Sequence, residues 1–278
     1  MRIGFIGPGR MGRPMLERLM AAGNQVTVLV RRPQAQAAAE AAGLSWAGTI
    51  EATVRDADVV FIVVLTDEQV RSVCLGPDGA IEAMKSAATL VQHTTSDPAT
   101  ARLLADAAVQ RGIKVVDAAL SGGPHDVVAG RLTLWVGADE AVLEEVRPLL
   151  ETYASPILSV GPVGNGQRVK LVNNALFVAQ LGLVIDAVRL ADSLGLEEQP
   201  LLAAVRHGSG TSRALGVVAD GDRGVRGIAD RLGDLMGKDV TVVREVARNA
   251  GVDLGILGKV LSSDAVEETV LRRARTAQ

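Results

Sequence analysis

The tightest constraint on this 278-residue chain sits in its first thirty positions. Arg2-Ile3-Gly4-Phe5-Ile6 reads as a short buried strand, Gly7-Pro8-Gly9-Arg10-Met11-Gly12 follows without a gap, and a helical stretch opens at Arg13. In that context G-x-G-x-x-G has a physical reading. The first glycine permits a tight turn, the second lets a pyrophosphate approach the backbone, and the third lets helix and strand pack closely, with the phosphates at the positive helix end. A second strand at Val26 to Val30 completes the unit, and this context favours a dinucleotide site over an ordinary glycine turn. Gly7, Pro8, Gly9, Arg10, Met11 and Gly12 are therefore expected to hold the cofactor.

The end of the second strand bears on which dinucleotide is bound. An NAD site usually places a carboxylate there, on the ribose 2′-hydroxyl, whereas a 2′-phosphate needs cationic donors. Here Leu29-Val30-Arg31-Arg32-Pro33 has no carboxylate before Glu40. Arg31 and Arg32 either clamp the extra phosphate of NADP or are solvated loop arginines; the reading prefers NADP and keeps NAD possible.

Strand-length apolar runs alternate with helical patterns at Val26 to Val30, Val59 to Leu65, Thr89 to Gln92, Val115 to Ala118, Thr133 to Gly137 and Ile157 to Val160. That rhythm predicts an α/β fold with a mostly parallel, doubly wound Rossmann sheet, whose ligands bind outside the carboxyl ends of the strands. Three loops fall there: Leu65-Thr66-Asp67, His93 to Pro98, and Leu120-Ser121-Gly122-Gly123-Pro124. Ser121-Gly122-Gly123 can offer a hydroxyl and backbone N–H groups to a carboxylate, or be a plain turn. After Gly161-Pro162-Val163-Gly164 the pattern becomes helix only. Helices are expected at Gln167 to Leu194, about 40 Å if unbroken, and at about Gln199 to Arg206, Thr211 to Ala219, Ile228 to Ala250 and Ile256 to Arg273. The expected division is a Rossmann domain over 1–162 and an all-α domain over 163–278, entered through the long helix.

Within that helix Lys170 and Asn174 lie one turn apart, on one face of a mostly apolar run. Desolvating an ammonium is unfavourable and draws a lysine toward the range where it trades protons. Lys170 is thus a candidate general acid/base, unless its stem covers core while its head reaches water. The cofactor signature at the other end of the chain favours the chemical reading.

A formal charge of −3 does not suggest a nucleic-acid surface, and Arg272, Arg273 and Arg275 read as a solvated helix end. The single cysteine, Cys74, excludes an internal disulfide and fits a reducing cytosol, so a cytoplasmic location is expected. Cleavage of a signal peptide would remove the loop at Gly7, and no segment is expected to span a membrane. Three histidines with no cysteine or carboxylate at ligand spacing give no expected metal site.

Four segments in order, Gly7 to Met15, Asp117 to Gly137, Gly164 to Asn174 with Lys170-Leu171-Val172-Asn173-Asn174, and Lys238-Asp239, give a chain that resembles the β-hydroxyacid dehydrogenases. That family includes 3-hydroxyisobutyrate dehydrogenase and tartronate semialdehyde reductase. The resemblance implies hydride transfer between NADP(H) and a small 3-hydroxyacid or semialdehyde, with Lys170 as general acid/base and Asn174 holding substrate. It implies that Ser121, Gly122 and Gly123 bind the substrate carboxylate, that Thr95 lies by the nicotinamide ribose, and that Lys238 contacts the cofactor. Leu65 and Thr66 join the cofactor set, and the helical half implies a homodimer or homotetramer.

The chain departs from the family at several positions. Asp126-Val127 stands where a small Gly-Ala pair is usual, Gly130-Arg131-Leu132 where Gly-Thr-Leu is, and Arg231 where many members place a phenylalanine over the pocket. Arg131 and Arg231 either offer a second anionic handle or face solvent and surface partners; His125 and Asp126 are similarly open. Two alternatives remain: an imine reductase, which generally lacks lysine at the position of Lys170, and a non-catalytic NADP-binding interaction module.

Overall fold

The computed structural model describes residues 1–271; the end of the last expected helix and the basic cluster Arg272, Arg273 and Arg275 lie outside them. The chain divides into two compact units, the first running from Met1 to Lys170 and the second starting at Leu171.

The first unit is built on strands β1 (Arg2–Ile6), β2 (Gln25–Leu29), β3 (Ser45–Ala47), β4 (Val59–Ile62), β5 (Thr89–Gln92), β6 (Lys114–Ser121), β7 (Leu132–Gly137) and β8 (Ala154–Ser159). They form one sheet in the order β3-β2-β1-β4-β5-β6-β7-β8. Every pairing is parallel except β6 with β7. Strand order reverses between β1 and β4, so the loop after β1 opens at the switch point, where doubly wound sheets take their ligands. Helices α1 (Gly12–Ala21), α2 (Pro33–Ala41), α3 (Ile50–Val54), α4 (Asp67–Cys74), α5 (Ala80–Ala83), α6 (Pro98–Val109), α7 (Pro124–Val128) and α8 (Glu140–Leu150) connect the strands. Two apolar clusters bury the sheet, one around Phe5, Phe61 and Tyr153, the other around Val60, Ile62 and Leu90. β4 is buried at all four positions, as a continuous apolar run between two helical layers must be.

The expected strands are present with shifted ends. Val59 to Leu65 stops pairing at Ile62, because Val64 and Leu65 turn into the ligand-facing loop and Leu65 is exposed. Val115 to Ala118 extends to Lys114–Ser121, since β6 pairs along most of its length with β7. β3 was not anticipated: three residues carry too little alternation to read, and pairing with β2 creates it.

Helix α9 (Asn165–Ser193) begins in the first unit and continues into the second, where α10 (Glu198–Val205), α11 (Arg213–Ala219), α12 (Ile228–Asn249) and α13 (Gly255–Leu261) follow. Leu171, Val178, Leu181 and Ile185 of α9 pack with Leu215, Val240 and Val266 in the second unit's core. By length and composition alone α9 could cross a membrane, yet half of its most apolar window is buried inside the protein.

Candidate active site

The phosphate loop has the geometry its glycines require. Gly7 adopts φ +99°, and a Cβ there would stand 2.2 Å from the Val63 carbonyl oxygen; one on Gly12 would stand 2.2 Å from that of Gly7. Gly9 differs: nothing lies within 4 Å of its would-be Cβ, which leaves room for a phosphate against the backbone. Helix α1 has no acidic residue in its first turn and no side-chain cap, so its leading N–H groups suit an anion. These residues fit a dinucleotide pyrophosphate. Arg31 and Arg32 are exposed at the end of β2 and Val30 is buried.

The β4 and β5 loops are tied to each other. Thr94 Oγ1 accepts the Val64 N–H and donates to the Val64 carbonyl, both at 3.0 Å. Asp67 accepts the Asp97 N–H at 3.0 Å, Arg71 Nε at 2.9 Å and the Thr100 hydroxyl at 3.1 Å. Thr66 caps α4 by accepting the Gln69 N–H, and Gln69 in return accepts the Leu65 N–H. These bonds hold the Leu65–Thr66 and Thr95 segments together; the sequence named those three residues but not the ties.

Beneath them lies a buried polar network. Asp117 Oδ2 accepts the Gly164 and Gln167 N–H groups, at the start of α9, and Oδ1 accepts Gln167 Nε2 at 2.8 Å. Gln167 also accepts the Ser96 N–H and donates to Gln92 Oε1, while Gln92 donates to the Thr94 carbonyl and Ser96 Oγ. Burial raises the Asp117 carboxyl to about 6 despite the hydrogen bonds that favour its charge. His93 is equally enclosed: Nδ1 meets the Ala118 carbonyl oxygen at 2.7 Å and Nε2 the Tyr153 hydroxyl at 2.9 Å. Desolvation lowers its imidazole to about 4, the Ala118 bond opposing. Cys74 is buried and its thiol is pushed up to about 12, far from a nucleophile's range.

Gln167, Lys170 and Asn174 fall at i, i+3 and i+7 of α9, along one face. Gln167 is 0%, Lys170 9% and Asn174 3% exposed, a buried polar stripe on a helix that is otherwise apolar where buried. In the second unit Asn174 Nδ2 donates to Asp239 Oδ2, and Asn174 Oδ1 accepts Asn173 Nδ2 at 3.0 Å. Lys238 Nζ lies 3.5 Å from Asp239 Oδ1. Arg231 donates to the Val217 and Gly227 carbonyls of its own unit. Arg131 is exposed, and Ser121 and Gly123 are half-buried. Among the described residues no cluster of three or more His, Cys, Asp or Glu side chains converges on a metal position.

Residues 2–161 match the NAD-binding domain of 6-phosphogluconate dehydrogenase, and residues 164–265 match the NAD-binding family of NADP-dependent 3-hydroxyisobutyrate dehydrogenase. The chain belongs to the β-hydroxyacid dehydrogenase family. As a β-hydroxyacid dehydrogenase it is an NAD(P)-dependent oxidoreductase of the hydroxyacid type. The NAD-dependent L-serine dehydrogenase of Pseudomonas aeruginosa is 33% identical over 254 residues, covering 89% of this chain and 85% of the relative. The 2-hydroxy-3-oxopropionate reductase of Escherichia coli is 32% identical over 217 residues, 78% of this chain and 74% of the relative. The structure of Mycobacterium tuberculosis 3-hydroxyisobutyrate dehydrogenase with L-serine superimposes with TM-score 0.83 at 28% identity, covering 99% of both chains.

Proposed function

We propose that this β-hydroxyacid dehydrogenase transfers hydride between NADP(H) and a small 3-hydroxyacid or its semialdehyde, with Lys170 as general acid/base. The observation that carries the reading is the buried stripe of Gln167, Lys170 and Asn174. A lysine is seldom buried to this degree, and its place between two buried amides on one helix face suits a group that exchanges a proton with a substrate.

The bound nicotinamide supplies or receives the hydride. As a carbonyl carbon is reduced, negative charge grows on its oxygen; the Lys170 ammonium stabilises that charge and passes a proton to the oxygen. In oxidation the neutral amine takes the hydroxyl proton. Asn174 orients the substrate. Its amide is held by Asp239, so the substrate meets a fixed donor and acceptor pattern. Thr95 and Lys238 complete the cofactor contacts, and Arg131 and Arg231 remain candidates for a second anionic group.

NADP is favoured because Arg31 and Arg32 are exposed cations beside a buried valine, with no carboxylate to repel a 2′-phosphate. Reduction in the cell, a cytoplasmic location, a functional boundary near residue 162 and a homodimer or homotetramer belong to the same reading. It is tested by a thermal-shift screen of NAD and NADP, then by turnover of L-serine, 3-hydroxyisobutyrate and small semialdehydes with the winning cofactor. Stabilisation by NAD alone overturns the NADP assignment, and silence across the panel overturns the reaction.

A further inference from the structure

The loops that leave β4 and β5 are clamped to each other at two levels. The inner clamp is Thr94, whose Oγ1 bonds both the N–H and the carbonyl of Val64. The outer clamp is Asp67, the first residue of α4. Its Oδ1 accepts the Asp97 N–H at 3.0 Å, while Oδ2 accepts the Thr100 hydroxyl at 3.1 Å and Arg71 Nε at 2.9 Å. Arg71 Nη2 completes the triangle by donating to Thr100 Oγ1 at 2.6 Å, and Thr100 is fully buried in the first turn of α6. Leu65 and Thr66 fall between Val64 and Asp67 in the chain, and Thr95 between Thr94 and Asp97. All three residues are therefore held from both sides.

The helix starts divide the sheet into two halves. α1 and α2, which follow β1 and β2, have no acidic residue in the first turn and no side-chain cap. α4 and α6, which follow β4 and β5, are satisfied from within: Thr66 caps α4, Asp67 and Glu68 stand in its first turn, and Asp97 caps α6 through the Ala99 N–H. Phosphates thus suit the β1 and β2 side, and a nucleoside without a phosphate of its own suits the β4 and β5 side. Strand order agrees. A doubly wound sheet takes a dinucleotide across its switch point, so an adenosine ribose at the end of β2 leaves the nicotinamide nucleoside to the loops after β4 and β5.

We propose that Asp67 is a positioning residue for the cofactor: by tying the starts of α4 and α6 together it holds Leu65, Thr66 and Thr95 in the arrangement that receives the nicotinamide nucleoside. Loops that are already ordered cost a ligand less ordering entropy, and a ring held in one pose meets the substrate in register. Without this carboxylate the Asp97 N–H loses its acceptor and Arg71 its counter-charge. The inference rests on the dinucleotide reading above and on residues of the first unit alone.

Adenosine 2′,5′-bisphosphate carries the 2′-phosphate half of NADP without the nicotinamide nucleoside, so the two ligands read the two halves of the site. By calorimetry, Asp67→Ala should raise the Kd of NADP about tenfold and leave that of the bisphosphate within about twofold of native, because only the nicotinamide half has lost its ordered loops. Turnover should fall as well, about tenfold in kcat, since the ring is no longer aligned. Asp67→Asn keeps an acceptor for the Asp97 N–H and should recover part of both losses. Thr100→Val removes the buried hydroxyl from the α6 side of the same clamp. It should show the same split, and it carries the comparison if the alanine variant does not fold. A bisphosphate Kd that rises in step with that of NADP makes Asp67 general support for the fold and overturns the proposal. So does NADP affinity unchanged in both Asp67→Ala and Thr100→Val. The cofactor reading fails separately: native enzyme that binds NAD alone overturns the NADP assignment, and the split that decides Asp67 is then measured with NAD against AMP.

Discussion

Asp117 and Gln167 are joined twice: the carboxylate accepts the Gln167 backbone N–H at 3.0 Å and its side-chain N–H at 2.8 Å, three positions before Lys170 on α9. The first turn of a helix has N–H groups with no intrahelical partner, and here a buried carboxylate supplies one. Through Gln92 and Ser96 the same network reaches the β5 loop that carries Thr95. Gln167→Leu, close in volume, strands the Ser96 N–H and Gln92 Oε1. It should cost about 2 kcal/mol in urea-denaturation stability and lower kcat more than it raises KM, because the start of the Lys170 helix is no longer fixed. Unchanged stability and kcat would show that the network is not structural support for the site.

Asp117 and His93 give opposite pH dependences in nearly one window. With the Asp117 carboxyl raised to about 6, the folded chain keeps a proton that the unfolded chain releases near 3.8, so this contribution is present below about pH 4 and lost as pH rises through 6. With the His93 imidazole lowered to about 4, the unfolded chain binds a proton below 6.5 that the folded chain refuses, so this contribution is present above 6.5 and lost as pH falls through 4. Each amounts to about 3 kcal/mol at full extent, and together they nearly cancel. Stability of the native enzyme from these groups should be flat between pH 4 and 6. Asp117→Asn should gain stability as pH rises from 4 to 6.5, and His93→Gln should lose it from 4 to 6. Urea midpoints at half-unit intervals check this, and slopes of the same sign in both variants contradict it.

Lys170→Ala should lower kcat by about 100-fold or more while leaving cofactor affinity near native, the usual size of general acid/base catalysis. Asp239→Ala leaves the buried Asn174 amide without its acceptor, so KM should rise with a stability loss of about 1–3 kcal/mol. Steady-state kinetics with L-serine, beside fluorescence titration of NADPH, separates the two. Amine formation that survives Lys170→Ala would instead support an imine reductase.

What could be read along the chain was what the chain does locally. Gly7 to Gly12 is legible because strand, turn and helix are adjacent: Gly7 and Gly12 each answer a close approach, to the Val63 and Gly7 carbonyls, and Gly9 leaves open space. Lys170 and Asn174 are legible because helix periodicity places them on one face. Asp117 entered the sequence reading only as the first residue of the segment Asp117 to Gly137; its bonds were out of reach, since its partners lie some fifty positions away at Gly164 and Gln167. Gln167 did carry a signal, its spacing of three from Lys170, but glutamine in a helix is ordinary. The bond from the Gly123 N–H to Asp126 Oδ2 was hidden because glycine, which has no side chain to complete a capping box, occupies the cap.

The cofactor preference should follow charge at the end of β2. Val30→Asp with Arg31→Ala and Arg32→Ala restores an acceptor for a ribose 2′-hydroxyl and removes both cations. Each charge-assisted contact to phosphate contributes about 1.5–3 kcal/mol. The triple variant should therefore lose a hundredfold or more in NADP affinity and gain in NAD affinity. Calorimetric Kd values for both cofactors decide it, and native enzyme that already prefers NAD refutes the role of the arginines.

The outward face of α9 supplies the last prediction. Val172, Leu176, Leu183 and Leu190 are 66, 52, 57 and 62% exposed, and Leu176, Leu183 and Leu190 repeat at intervals of seven on one side of the helix. Single exposed leucines are unremarkable, whereas a stripe of them along one helix suits burial against another chain. In the proposed homodimer a second copy covers this face. Leu183→Glu places a charge at the centre of the stripe without touching the core residues Val178, Leu181 and Ile185. Sedimentation should then show dissociation of an oligomer, with circular dichroism and the melting of the separated chain still reporting a folded protein. A native protein that sediments as a monomer at micromolar concentration, or a Leu183→Glu variant with an unaltered sedimentation coefficient, rules out pairing through α9.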